Sequence, residues 1–147
     1  MGSLYGMGNF PNYIAVTGLL WYTEVNLKEG DNIFAFKVVN NLGASYKISK
    51  NIVFTPDPPE ITIGNCPETS DKDTIVISGA VSDSNDDYPT LTVNGEPVKV
   101  EYSKWSATVA LKEGDNAITL AAANSYGKTT TEVRHVKYTP PPKKAAP

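Results

Sequence analysis

One six-residue string occurs twice in this chain, as Leu27-Lys28-Glu29-Gly30-Asp31-Asn32 and as Leu111-Lys112-Glu113-Gly114-Asp115-Asn116, each time six residues after a tryptophan. The offset of 84 holds without a gap from Trp21/Trp105 through Gly43/Gly127 to Thr55-Pro56/Thr139-Pro140, and 12 of these 36 aligned positions are identical. A period of that length is a whole domain, well above the ~20–50 residues of stacked repeats. Each copy is therefore expected to own a hydrophobic core.

The two copies are unequal. Met1 corresponds to Asn85, so nothing in the sequence matches residues 58–84, where the second copy carries two strand-like runs, Glu60-Ile61-Thr62-Ile63 and Thr74-Ile75-Val76-Ile77-Ser78-Gly79-Ala80-Val81. The first copy is expected to lack these two strands. Three routes are open: truncation inside a domain, pairing improvised by residues 1–20, or a second chain that fills the gap. Truncation comes first, because Met1-Gly2-Ser3 reads as an expression start with no signal-like apolar run behind it. A half sandwich exposes sheet edges and an apolar face, which favours a homodimer formed by strand exchange, with Tyr5, Phe10 and Tyr13 as candidate cover.

The second copy reads as seven strands. Asn94-Gly95 between alternating apolar residues predicts a two-residue type I′ hairpin that pairs Val93 with Glu96 and Leu91 with Val98, with Pro97 on an edge strand. Trp105, Ala107, Val109 and Leu111 recur with period two, and the first copy repeats the pattern as Trp21, Thr23, Val25 and Leu27. Gly30 and Gly114 are the expected positive-φ residues of the repeated turn. Ile118, Leu120 and Ala122 should point inward, and an apparent slip of parity between Val133 and Val136 predicts a bulge near His135. The fold class is all-β: tandem immunoglobulin-like β-sandwich modules, the first incomplete at its N-terminus. The boundaries are 1–56 for the partial module, 57–59 for a stiff proline linker, 60–139 for the complete module and 140–147 for a proline-rich tail.

Composition narrows function mostly by exclusion. A net charge of −3, with basic residues unclustered before Lys143-Lys144, argues against nucleic acid, and no apolar run is long enough to insert in a membrane. His135 is the single histidine and Cys66 the single cysteine, so zinc and nucleophilic chemistry lack their usual parts, and no enzyme activity or cofactor is expected. Asp71, Asp73, Asp83, Asp86 and Asp87 form the densest acidic set, weak candidates for calcium, although polar turn residues are the commoner explanation. Trp21 and Trp105 begin the inward parity of their strands and are read as core, whereas Tyr22, Tyr102 and Tyr126 are the weak candidates for stacking on a glycan.

Four stretches together resemble the bacterial immunoglobulin-like modules of the glucodextranase domain B type. They are Ile77-Ser78-Gly79-Ala80-Val81-Ser82-Asp83, Val93-Asn94-Gly95, Leu111 through Ile118, and Ala122-Ala123-Asn124-Ser125-Tyr126-Gly127. The resemblance covers about residues 58–139, and its latter half recurs in 21–56. It implies a non-catalytic accessory domain in a secreted or cell-surface bacterial protein, partnered by neighbouring domains of the same parent chain. Trp105 stands where such modules often carry glycine followed by phenylalanine, and Asn124 replaces a frequent aspartate, so no ligand-binding role is inherited.

Overall fold

The computed structural model describes residues 3–7, 15–17 and 20–145, with side chains described from Tyr22 onward. Phe10 and Tyr13 lie outside the described residues, as do the side chains of Tyr5 and Trp21. The chain divides into two compact units, residues 1–55 and 56–147.

The second unit contains nine strands among its described residues. They are β6 (Glu60–Asn65), β7 (Thr69–Ser70), β8 (Thr74–Ser82), β9 (Thr90–Val93), β10 (Glu96–Val98), β11 (Val100–Glu101), β12 (Lys104–Ala110), β13 (Gly114–Ala123) and β14 (Thr129–Tyr138). They form a four-stranded sheet in the order β11-β12-β8-β6 and a five-stranded sheet in the order β10-β9-β13-β14-β7. One core lies between the sheets: Ile75, Ile77, Val81, Trp105 and Val109 from the first meet Leu91, Val93, Ile118, Leu120, Ala122 and Val136 from the second. Alternation puts these residues inside, because a strand whose apolar side chains recur every second position can bury them all on one face.

The Asn94-Gly95 turn has φ of 51° and 84°, and it sets Glu96 against Val93 and Val98 against Leu91, the register that a type I′ turn dictates. Pro97 sits on β10, at the edge of its sheet. The expected bulge near His135 does not form. β14 pairs with β13 in unbroken register from Gly114/Tyr138 to Ala123/Thr129. Val133 faces outward and is 44% exposed while Val136 is fully buried, so two valines of opposite parity reflect two faces rather than a slip. The irregularity lies instead between Ile63 and Asn65, where β6 meets β8.

The first unit contains β1 (Ser3–Met7), β2 (Ala15–Thr17), β3 (Leu20–Tyr22), β4 (Gly30–Val39) and β5 (Ser45–Phe54). β1, β4 and β5 form one sheet, and β2 and β3 a hairpin. The N-terminal strands take positions that the second unit also uses. Val16 pairs with Trp21 as Val100 pairs with Trp105, and β1 lies along β4 as β9 lies along β13, with Ser3 opposite Val39 where Thr90 is opposite Ala123.

Identical residues make identical bonds in the two units. Asn116 Oδ1 accepts from Lys112 N at 2.8 Å, and its Nδ2 donates to the carbonyls of Lys112, Gly114 and Val136. Asn32 repeats this with Lys28, Gly30 and Ile52. Gly30 and Gly114 take φ of 89° and 97°, which a side chain would resist. One asparagine thus staples the turn to the neighbouring strand, a role that the repeated string displayed without naming.

Candidate functional site

The second unit has a cleft of about 560 Å³ between the end of β8, the loop from β8 to β9, β10 and the turn from β11 to β12. Pro89, Leu91, Pro97, Val98 and Val100 make its floor apolar, and Tyr88 and Tyr102 stand at it, 86% and 99% exposed. Such an apolar cleft with phenolic handles suits the weakly polar face of a ring or sugar.

Backbone chemistry fixes both tyrosines' loops. The Val81 N–H donates to the Ser103 carbonyl at 2.8 Å, tying the β11–β12 turn to β8. Within that turn Tyr102 and Ser103 hold φ of 50° and 63°, a left-handed pair without glycine. Non-glycine residues there cost of order 1–3 kcal/mol, and strain of this kind concentrates at functional positions. On the other side, Asp86 accepts from Tyr88 N at 2.9 Å and from Ser125 N at 2.7 Å. These two backbone donors, Tyr88's first, hold the Asp86 carboxyl below the usual carboxylate range. A carboxylate with a depressed folded-state pKa stabilises the fold at every pH above its unfolded value, and that contribution disappears as pH falls through the folded one. Acid unfolding of the Asp86→Asn variant, followed by tryptophan fluorescence below about pH 4, should accordingly be less steep in pH than that of the parent.

The remaining candidates fall as follows. Asp83 caps its own loop, its Oδ1 accepting from Asn85 N and its Oδ2 from Asn124 Nδ2. Asp87 is exposed at the cleft, and Asp71 and Asp73 are exposed in the turn before β8. Among the described residues no group of three or more His, Cys, Asp or Glu side chains converges on a point where a metal ion could sit. Tyr126 is half-buried and does not line the cleft; Tyr22, 70% exposed, belongs to the first unit. Trp105 is 3% exposed and packs in the core, as its parity requires. His135 and Cys66 line a separate groove with Glu68 and Arg134. Burial pushes the Cys66 thiol up, and the Arg134 charge pulls it back in part, so it stays protonated at neutral pH.

Sequence reasoning missed Tyr88 and the residues that anchor the entry of the chain. Asn124 is 7% exposed and fully satisfied. Its Nδ2 donates to the Asp57 carbonyl and to Asp83 Oδ2, both at 2.8 Å, and its Oδ1 accepts from Tyr126 N and Lys128 N. Asp57 N donates in turn to Asn85 Oδ1, Thr130 Oγ1 donates to the Pro59 carbonyl, and Pro56 and Pro59 are buried. Residues 56–59 are thus packed onto the second unit.

Two face-packed sheets, with a hairpin edge and a strand, β10 to β11, that crosses between them, make the second unit an immunoglobulin-like β-sandwich. Residues 59–139 match the family described as glucodextranase, domain B, and since this is more than half of the chain, the chain belongs to that family. Over 115 residues it is 27% identical to Bacillopeptidase F of Bacillus subtilis (strain 168), a match that spans 76% of this chain and 8% of that protein. Among solved structures it is similar to the fibronectin(III)-like modules of Clostridium thermocellum CbhA, at 14% identity and a TM-score of 0.48, covering 86% of this chain and 70% of that one. It is also similar to domains 3–5 of Drosophila OTK, at 14% identity and a TM-score of 0.44, covering 95% of this chain and 51% of that one.

Proposed function

We propose that this chain is a non-catalytic accessory and spacer segment of a secreted or cell-surface bacterial protein. The observation that carries the reading is the anchored entry to the second unit. A spacer transmits position only if the chain leading into each module is fixed to it, and here Asp57 is held through both its N–H and its carbonyl. The Asn124→Ala variant loses the carbonyl half of that hold and leaves partly buried partners unmatched, at a cost of about 1–3 kcal/mol. Its expected signature is a faster backbone motion at Asp57 in heteronuclear NMR relaxation, with the β13–β14 ladder intact. An unchanged Asp57 would remove the mechanical basis of the spacer role. Peptides and polysaccharides offered to the chain are expected to be hydrolysed at background rate only.

A second reading, a glycan-binding or adhesion module, is favoured by the Tyr88 and Tyr102 cleft. Replacing Tyr102-Ser103 with Asn-Gly relieves the left-handed strain and should stabilise the unit by about 1 kcal/mol. If the cleft binds a sugar, the same change abolishes the shifts of Tyr88 and Val98 resonances on titration with that polysaccharide. A panel that moves neither resonance in the parent chain would end this reading.

A further inference from the structure

We propose that the Asp57–Pro58 peptide bond is a self-processing site, hydrolysed by the Asp57 side chain while Asn124 stabilises the developing oxyanion. This is the single aspartyl–prolyl bond in the chain. It lies just past the boundary between the two compact units, and its hydrolysis yields residues 1–57 and 58–147.

Three features meet at this bond. The first is its carbonyl, to which Asn124 Nδ2 donates at 2.8 Å. Asn124 is itself 7% exposed and is locked by Tyr126 N and Lys128 N, which both donate to its Oδ1. A fixed amide donor favours the negative charge that builds on a carbonyl oxygen when a nucleophile adds. The second is the nucleophile. Asp57 is exposed, and among the described residues its carboxylate joins no hydrogen bond or ion pair. Its backbone N–H, by contrast, is tied to Asn85 Oδ1 at 3.0 Å, so the main chain is held while the side chain is left to rotate. The third is the approach. Proline confines the residue before it to extended backbone, with ψ of about +120 to +160°. At such a ψ the Asp57 Cβ stands roughly perpendicular to the plane of its own carbonyl, the side from which an oxygen adds. Rotation about the side-chain bonds alone then delivers the carboxylate.

The chemistry balances as the addition of one water. An Asp57 Oδ atom bonds to the Asp57 carbonyl carbon, and the bond from that carbon to the Pro58 nitrogen breaks, leaving a five-membered cyclic anhydride. The electron pair of the broken bond stays on the proline nitrogen, which takes a proton from solvent and departs as a secondary amine. Pro58 is exposed, so solvent reaches it, whereas Pro59 is buried and its carbonyl accepts from Thr130 Oγ1. A water molecule opens the anhydride to the two carboxyls of a C-terminal aspartate. Asn124 neither gives nor takes a proton.

The test holds the intact 147-residue chain at about pH 5, just above the ordinary aspartate range, with its fold checked by tryptophan fluorescence. Mass spectrometry follows fragments 1–57 and 58–147. A synthetic peptide of residues 52–63 in the same buffer gives the rate without the fold, and the folded chain should be cut at least about tenfold faster. Asp57→Asn should abolish the cut. Asn124→Asp keeps the oxygen that serves Tyr126 and Lys128 but replaces the donor, and its rate should fall towards that of the peptide. A chain cut no faster than the peptide, a cut that survives Asp57→Asn, or a folded Asn124→Asp variant with the parent's rate would each overturn the proposal. Should Asn124→Asp fail to fold, the ratio of parent to peptide and the Asp57→Asn result still decide it. The spacer reading stands apart from this outcome, because it is tested by the motion of Asp57 and not by cleavage.

Discussion

Gly79→Val is expected to leave the second unit unfolded, with loss of the dispersed methyl and amide resonances of residues 56–145 at 25 °C. Gly79 lies on β8 between two strands, opposite Ile63 on one side and Trp105 on the other. A Cβ there meets a backbone carbonyl, that of Thr62, and a backbone atom in the middle of a ladder cannot swing aside as a flexible side chain can. Overpacking of a core usually costs 1–3 kcal/mol through side-chain adjustment alone. Here the ladder between β6 and β8 must also part, and a domain with only about 5–15 kcal/mol of stability has little reserve. Even Gly79→Ala meets the same carbonyl, so it should lower the denaturation midpoint by more than any substitution in an exposed turn. An alanine variant with the parent's midpoint would show that Thr62 can move and that the close approach is not a constraint.

Trp105→Ala should destabilise the second unit by about 3–5 kcal/mol in urea unfolding. The ring is 3% exposed and lies over Gly79, so truncation opens a cavity in the core. Trp105→Phe is the informative companion. The indole N–H is buried without a protein acceptor, so exchanging it for a phenyl ring removes no hydrogen bond and loses only part of the volume. The phenylalanine variant should therefore retain more than half of the stability that alanine loses. Equal losses in the two would mean that the N–H, rather than the ring's volume, carries the contribution.

The parts of this fold that were legible in the sequence are those dictated by local geometry. Asn94-Gly95 demanded positive φ at both positions, and that requirement alone set the register of the hairpin around it. Period-two alternation placed Trp105, Val109, Ile118 and Leu120 in the core, because each strand has one buried face. What escaped was non-local. β7 is two polar residues paired in parallel with the end of β14, and no periodicity fits in two residues. The partners of Asn124 lie 67 and 41 residues away, at Asp57 and Asp83, so the string around it looked like a turn and nothing more. Val133 and Val136 misled because a β-branched residue is at home on either face of a strand. Tyr88 was missed for the opposite reason: a lone aromatic in a polar loop has no pattern at all, and only the folded chain brings it to the same cleft as Tyr102.

The hold on Asp57 also decides where this sandwich can be cut free for use as a transplantable part. A fragment beginning at Glu60 would keep every strand of the second unit, yet it would discard the Asp57 carbonyl that Asn124 reaches and the two prolines buried against the sheet ends. Fusion proteins that borrow this scaffold should begin no later than Pro56, four positions ahead of the first strand.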